Sequence, residues 1–91
     1  MDTQNTPKLA EITQGSYVKI KKGVMTEEET AIPEEDIKHL ENNLCIISDI
    51  ELDATPTYLC KIVNDPKINW WLYDSDIEMV ITPEEYPEYF I

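Results

Sequence analysis

Leu44-Cys45-Ile46-Ile47-Ser48-Asp49-Ile50-Glu51-Leu52, then Asp53-Ala54-Thr55-Pro56, then Tyr58-Leu59-Cys60-Lys61-Ile62-Val63 decides the class of this chain. Two runs rich in β-branched and aromatic residues flank a short segment with a proline, the pattern of an antiparallel hairpin. Side chains alternate along a strand, so Leu44, Ile46, Ser48, Ile50 and Leu52 share one face, and Cys45, Ile47, Asp49 and Glu51 the other. Asp49, Glu51 and Asp53 then form a carboxylate stripe on the solvent side, with Lys61 of the return strand relieving part of the repulsion. Pairing Leu52 with Thr57 places Asp49 opposite Cys60 and Asn64 opposite Cys45. In that register the sulfurs lie too far apart for a disulfide, whose Cα atoms must be within about 7 Å. Both cysteines are expected as reduced, apolar packing residues.

Further strands lie on either side. Gly15-Ser16 opens Tyr17-Val18-Lys19-Ile20-Lys21-Lys22, whose alternation points Val18 and Ile20 inward and Tyr17, Lys19 and Lys21 outward. Gly23 ends it. Asn64-Asp65-Pro66-Lys67 has the composition of a turn. Residues 69–73 and 77–81 read as the fourth and fifth strands.

Residues 24–43 break the β pattern. Thr26-Glu27-Glu28-Glu29 matches a helix-capping box, a hydroxyl followed three residues later by a carboxylate. Pro33 suits a first helical position, and Glu34, Glu35 and Asp36 complement the helix dipole. Ile37 and Leu40 share one face. The pattern predicts an acidic loop, then a short helix over 33–41, stopped by Asn42-Asn43. Thr82-Pro83-Glu84-Glu85 repeats the helix-start chemistry, but Pro87 limits it to about one turn. Residues 1–8 are polar and expected to be loose, with Leu9, Ala10 and Ile12 as a brief apolar approach to the first strand.

Ninety-one residues are the size of one domain, and an apolar content of 42% suits a packed one. The chain carries nineteen carboxylates, seven lysines and no arginine, for a net charge of -12. Such a field repels nucleic acid and anionic membranes and attracts basic protein surfaces. A net charge of magnitude about 2–8 is ample for solubility in a small domain, and the excess costs stability through self-repulsion. A use for the field explains why it is tolerated. No apolar run is long enough to span a bilayer. Met1-Asp2-Thr3-Gln4-Asn5-Thr6-Pro7 lacks the basic and apolar regions of a secretory signal, so the expected compartment is the cytoplasm.

Little suggests catalysis. His39 is the single histidine, and Gly15 and Gly23, eight residues apart, make no phosphate-cradling loop. Cys45 or Cys60 would need His39 and an orienting group beside it to act as a nucleophile, and the spacing offers neither. Asp74, Asp76 and Glu78 have the spacing that begins a calcium loop, but Met79 stands where the loop needs glycine. No enzyme activity, metal or cofactor is expected. Lys19, Lys21, Lys22 and Lys61 beside Tyr17 make a small basic island in a negative field, so direct nucleic-acid binding is not expected either.

Binding to a basic protein surface remains. Alternation sets Trp70 and Leu72 on one face and Trp71 and Tyr73 on the other, so one tryptophan belongs to the core and the other lies exposed. Exposed tryptophan and tyrosine concentrate binding energy at interfaces. The candidate contact set is Glu27, Glu28, Glu29, Glu34, Glu35 and Asp36 of the insertion, Asp49 and Glu51 of the stripe, and Asp74, Asp76 and Glu78 of the late turn. Trp71 and Tyr73 serve as its anchors. The tail Tyr86-Pro87-Glu88-Tyr89-Phe90-Ile91 either folds back on the domain or reaches a partner.

Three segments together carry a resemblance: Gly15-Ser16-Tyr17-Val18-Lys19-Ile20, Tyr58-Leu59-Cys60-Lys61-Ile62, and Trp70-Trp71-Leu72-Tyr73-Asp74-Ser75-Asp76-Ile77-Glu78. They resemble the SH3-like barrel small proteins of Gram-positive bacteria and their phages, with G-x-x-V-x-I, Y-x-V-x-I/F and W-W-x-Y-x-x-D-I/L-E segments. The likeness covers residues 15–81 and departs from the family over 24–43, where its members have a short loop and a glycine. It implies a mainly β fold, a small five-stranded SH3-like barrel with a short helix inserted between the first two strands. It also implies a binding role without shared catalytic residues. Small, acidic, glycine-poor phage proteins often inhibit host nucleic-acid enzymes, including restriction and CRISPR effectors, by occupying a basic groove as a DNA mimic. By that analogy the chain is an anti-defence, anti-CRISPR or anti-restriction inhibitor acting in the host cytoplasm. The alternatives are a structural or accessory phage protein that self-associates, and an immunity protein that neutralises a basic toxin.

Overall fold

The computed structural model describes residues 12–90, the side chains of Tyr89 and Phe90 excepted. Five antiparallel strands, β1 (Tyr17–Ile20), β2 (Cys45–Ile50), β3 (Tyr58–Ile62), β4 (Asp65–Leu72) and β5 (Ile77–Ile81), form one open sheet. Their order is β4-β3-β2-β1-β5, so β4 and β5 are its edges and the first and last strands are neighbours. Two helices, α1 (Glu27–Thr30) and α2 (Glu34–Asn42), fill the connection from β1 to β2. The mainly β architecture with helix between the first two strands matches expectation. The looseness of residues 1–8, the roles of Leu9 and Ala10, and the side chains of Tyr89, Phe90 and Ile91 lie outside the described residues.

Burial explains the insertion. Val18 and Ile20 of β1, Cys45 and Ile47 of β2, Cys60 and Ile62 of β3, Leu72 of β4 and Ile77 of β5 are buried in one cluster. Ile32, Ile37 and Leu40 of the insertion join the same cluster. A fully buried leucine of this kind is worth roughly 1.5–3 kcal/mol of transfer free energy. The acidic segment is therefore part of the core's lid.

Local chemistry sets the helix ends. The Glu29 amide donates to Thr26 Oγ1 (3.2 Å), so the capping box closes a one-turn helix where a loop was expected. Ala31 stops it in the left-handed region (φ 65°), its amide donating to the Glu27 carbonyl at 2.8 Å. Pro33 is the N-cap of α2, one position earlier than its sequence pattern suggested. Asn42 and Asn43 do stop the helix: their side-chain amides donate to the carbonyls of Lys38 and His39, each at 2.8 Å.

Three expectations need correction. In β2, Cys45 and Ile47 face the core and Ile46 is only half-buried, the reverse of the predicted phase. Ser48 is an extra residue, since Ile47 pairs with Cys60 and Asp49 with Leu59. This bulge reverses the alternation, so Asp49 is exposed and Ile50 packs against the core. The hairpin register shifts with it: Cys45 lies opposite Ile62, Ile50 opposite Tyr58, and Leu52 sits in the loop at 82% exposure. Cys45 and Cys60 thus share the core face, two positions out of register, and both are free thiols. Lastly, Asp65-Pro66-Lys67 belongs to β4 and not to a turn, because Ile62 pairs directly with Asp65. An edge strand tolerates Pro66, and the Asn69 side-chain amide donates to the carbonyls of Pro66 and Lys67, both at 3.2 Å.

Candidate functional site

The two tryptophans part company as alternation requires. Trp70 packs partly against the core, and its Nε1–H donates to Asp36 Oδ2 at 3.0 Å, tying β4 to α2. Trp71 points to the opposite face at 36% exposure, with Tyr73 beyond it at 46%. The strand pairing sets Asp49, Leu59 and Trp71 in one row across β2, β3 and β4. Neighbouring strands in such a row lie about 4.8 Å apart, so Asp49 stands two strands from Trp71 on the same face, with Leu59 between them.

Beside that row, the β2–β3 loop folds against the end of β4. The Thr57 amide donates to the Leu72 carbonyl (3.1 Å) and the Glu51 amide to the Thr57 carbonyl (2.8 Å). Ala54 is held from both sides, its amide on the Glu51 carbonyl at 3.1 Å and its carbonyl accepting from Thr57 Oγ1 at 2.9 Å. These bonds shape a shallow groove of about 340 Å³ lined by Glu51, Ala54, Thr55, Pro56 and Trp71.

The predicted contact residues fall into two groups. Three of the six predicted acids of the insertion serve the fold. Glu29 completes the Thr26 box (3.3 Å), Glu27 Oε1 accepts from the Glu34 amide at the start of α2 (3.1 Å), and Asp36 holds Trp70. Glu34 pairs with Lys38 at 3.8 Å on the exposed face of α2, a contact worth little in water. Glu28 and Glu35 are exposed. In the late turn, Asp76 Oδ2 accepts from the Tyr73 amide at 3.1 Å and is half-buried, whereas Asp74 and Glu78 are exposed. Burial pushes the Asp76 carboxyl above its usual range, against the opposing pull of the Tyr73 amide and Lys21. Glu51 is exposed beside Trp71, and Asp49 is exposed in the same row, its Oδ1 accepting from the Ile50 amide at 2.9 Å. The insertion acids and the hairpin acids are therefore not one cluster.

Sequence reasoning missed the groove and the Trp70–Asp36 bond. The proline of the hairpin loop was a partial signal for the first. A hydrogen bond between residues 34 positions apart leaves no local signal at all.

Cysteine chemistry is quiet. Burial pushes the Cys45 thiol up to about 12 and raises the Cys60 thiol too, with Cys45 and Asp76 nearby adding to the effect. Neither thiol supplies thiolate at neutral pH. Among the described residues no group of three or more histidine, cysteine or carboxylate side chains is placed to hold a metal. No helix among them is long and apolar enough to cross a membrane. No family model, curated protein or solved structure matches the chain.

Proposed function

We propose that this chain is a non-enzymatic, acidic protein-binding module that docks on a basic surface of a nucleic-acid-handling enzyme. The observation that carries the reading is Trp71 exposed on the edge strand β4, with the exposed acid Glu51 in the same groove and Asp49 in the same cross-strand row, in a chain of net charge -12. A flat ring at the centre of a patch supplies contact energy, and surrounding carboxylates steer a cationic partner toward it. Glu28, Glu35, Asp74 and Glu78 extend the steering field, and Tyr73 extends the anchor. The same reading takes the fold as an SH3-like barrel, supported by β1 lying between β2 and β5, so that the first and last strands are neighbours. An inhibitor of the type phages direct against host defence enzymes fits the same features.

Immobilised protein incubated with cell lysate at low and at high salt, followed by mass spectrometry of what elutes, tests the reading. A basic protein held at low salt and released at high salt is the expected result, because such steering is screened over about 8–10 Å at physiological ionic strength. Retention that salt does not weaken contradicts it.

A further inference from the structure

We infer that the groove between the β2–β3 loop and Trp71 is a seat for a guanidinium group, and that the partner's central contact is an arginine on an exposed segment. This rests on the protein-docking reading and names the chemistry recognised there. Three observations meet at one place. The groove is bordered by Trp71, 36% exposed, and by the carboxylate-bearing Glu51. Its remaining wall, Ala54, Thr55 and Pro56, is predominantly apolar and held by the loop's own hydrogen bonds, so little ordering is needed on binding. No lysine among the described residues forms an ion pair with Glu51.

Guanidinium suits such a seat better than ammonium does. It is planar and weakly hydrated, so it stacks on an indole while its edge offers two N–H donors to a carboxylate. An ammonium can do one or the other, as a point charge with a tighter water shell. The apolar wall fits the aliphatic stem of the same side chain. The chain contains no arginine, so a second copy of it cannot supply this group. That leaves a different, cationic protein as the occupant, in keeping with the charge of -12. Lys61 faces the same side of the sheet two positions from Leu59, and its charge limits the seat to the Glu51 end of the patch.

Titration of the full chain with a capped decapeptide of alternating arginine and proline tests this, with the lysine and citrulline versions as controls. The readout is the indole N–H resonances in a nitrogen–proton correlation spectrum. The Trp71 signal is expected to move saturably with the arginine peptide, while the Trp70 signal, held by Asp36, stays in place. The lysine peptide is expected to bind at least about threefold more weakly and the citrulline peptide not measurably. Glu51→Gln should weaken the arginine peptide about three- to tenfold with the spectrum otherwise unchanged. Equal affinity for the arginine and lysine peptides overturns the assignment, as does a stationary Trp71. Both results leave salt-sensitive capture of a basic protein as a separate outcome, so the docking reading fails or stands on its own experiment.

Discussion

The helical insertion and the β2–β3 hairpin tip carry the same kind of side chain and use it differently. In the insertion, Glu27, Glu29 and Asp36 accept hydrogen bonds that cap α1, start α2 and fasten α2 to Trp70. At the hairpin tip the loop holds itself with backbone amides and the Thr57 hydroxyl, which leaves Glu51 free to line a groove beside Trp71. A run of carboxylates in a sequence thus has two physical meanings. Where the fold presents an unmatched donor, be it an amide at a helix N-terminus, a hydroxyl or an indole N–H, acids are structural. Where the loop's backbone donors are already satisfied, as around Glu51, the acid remains available to a partner.

Substitutions that separate anchoring from display should sharpen the contrast. The largest effect is expected at Leu40, fully buried where α2 meets the sheet. Leu40→Ala should cost about 2–5 kcal/mol in urea unfolding, whereas Leu52→Ala at the exposed hairpin tip should stay within about 0.5 kcal/mol. Comparable losses would mean that the tip packs onto the core. Next in size, Asp36→Ala removes the acceptor of the Trp70 indole and should cost about 1–3 kcal/mol, with a shift in tryptophan emission. Asp36→Asn keeps an acceptor oxygen and should recover part of the loss. An Asp36→Ala protein as stable as wild type would show that the insertion is held by its apolar residues alone.

The smallest effect concerns Asp76, which belongs to neither region and titrates under burial. Its folded value is raised, so the folded state binds its proton more readily than the unfolded chain does. Its contribution is therefore fully present below the ordinary value of 3.8 and is lost as pH rises through the raised folded value. Relative to Asp76→Asn, wild type should gain stability on acidification, by roughly 0.5 kcal/mol or less because the carboxyl is half in solvent. Parallel stability curves for the two proteins between pH 7 and pH 4 would refute the assignment.

Much of the fold is legible in the sequence where one rule acts alone. Alternation fixes the faces of β1, with Val18 and Ile20 in the core, and the separation of Trp70 from Trp71. Cap chemistry locates α2 to within a residue or two. The failures in β2 have one cause: a residue inserted into a regular pattern. Ser48 as a bulge reverses the phase of β2, and with it the hairpin register and the cysteine pairing geometry. Nothing about an isolated serine marks it as unpaired, because the choice is made by which isoleucines the facing layer can cover. The candidate site was half legible. Trp71, Tyr73, Asp49 and Glu51 follow from pattern and composition, whereas the groove depends on a loop folding back on β4 through the Thr57 amide.

The contrast between anchoring and displayed acids is tested most directly by the affinity of a captured basic partner for two neutralised proteins. One carries Asp49→Asn, Glu51→Gln and Asp53→Asn at the hairpin; the other carries Glu28→Gln and Glu35→Gln, the exposed insertion acids without hydrogen-bonding duties. The hairpin variant should melt as wild type does and lose at least about tenfold in affinity, mostly through faster dissociation. The insertion variant should lose less, mostly through slower association at low salt. A hairpin variant that binds as tightly as wild type contradicts the account.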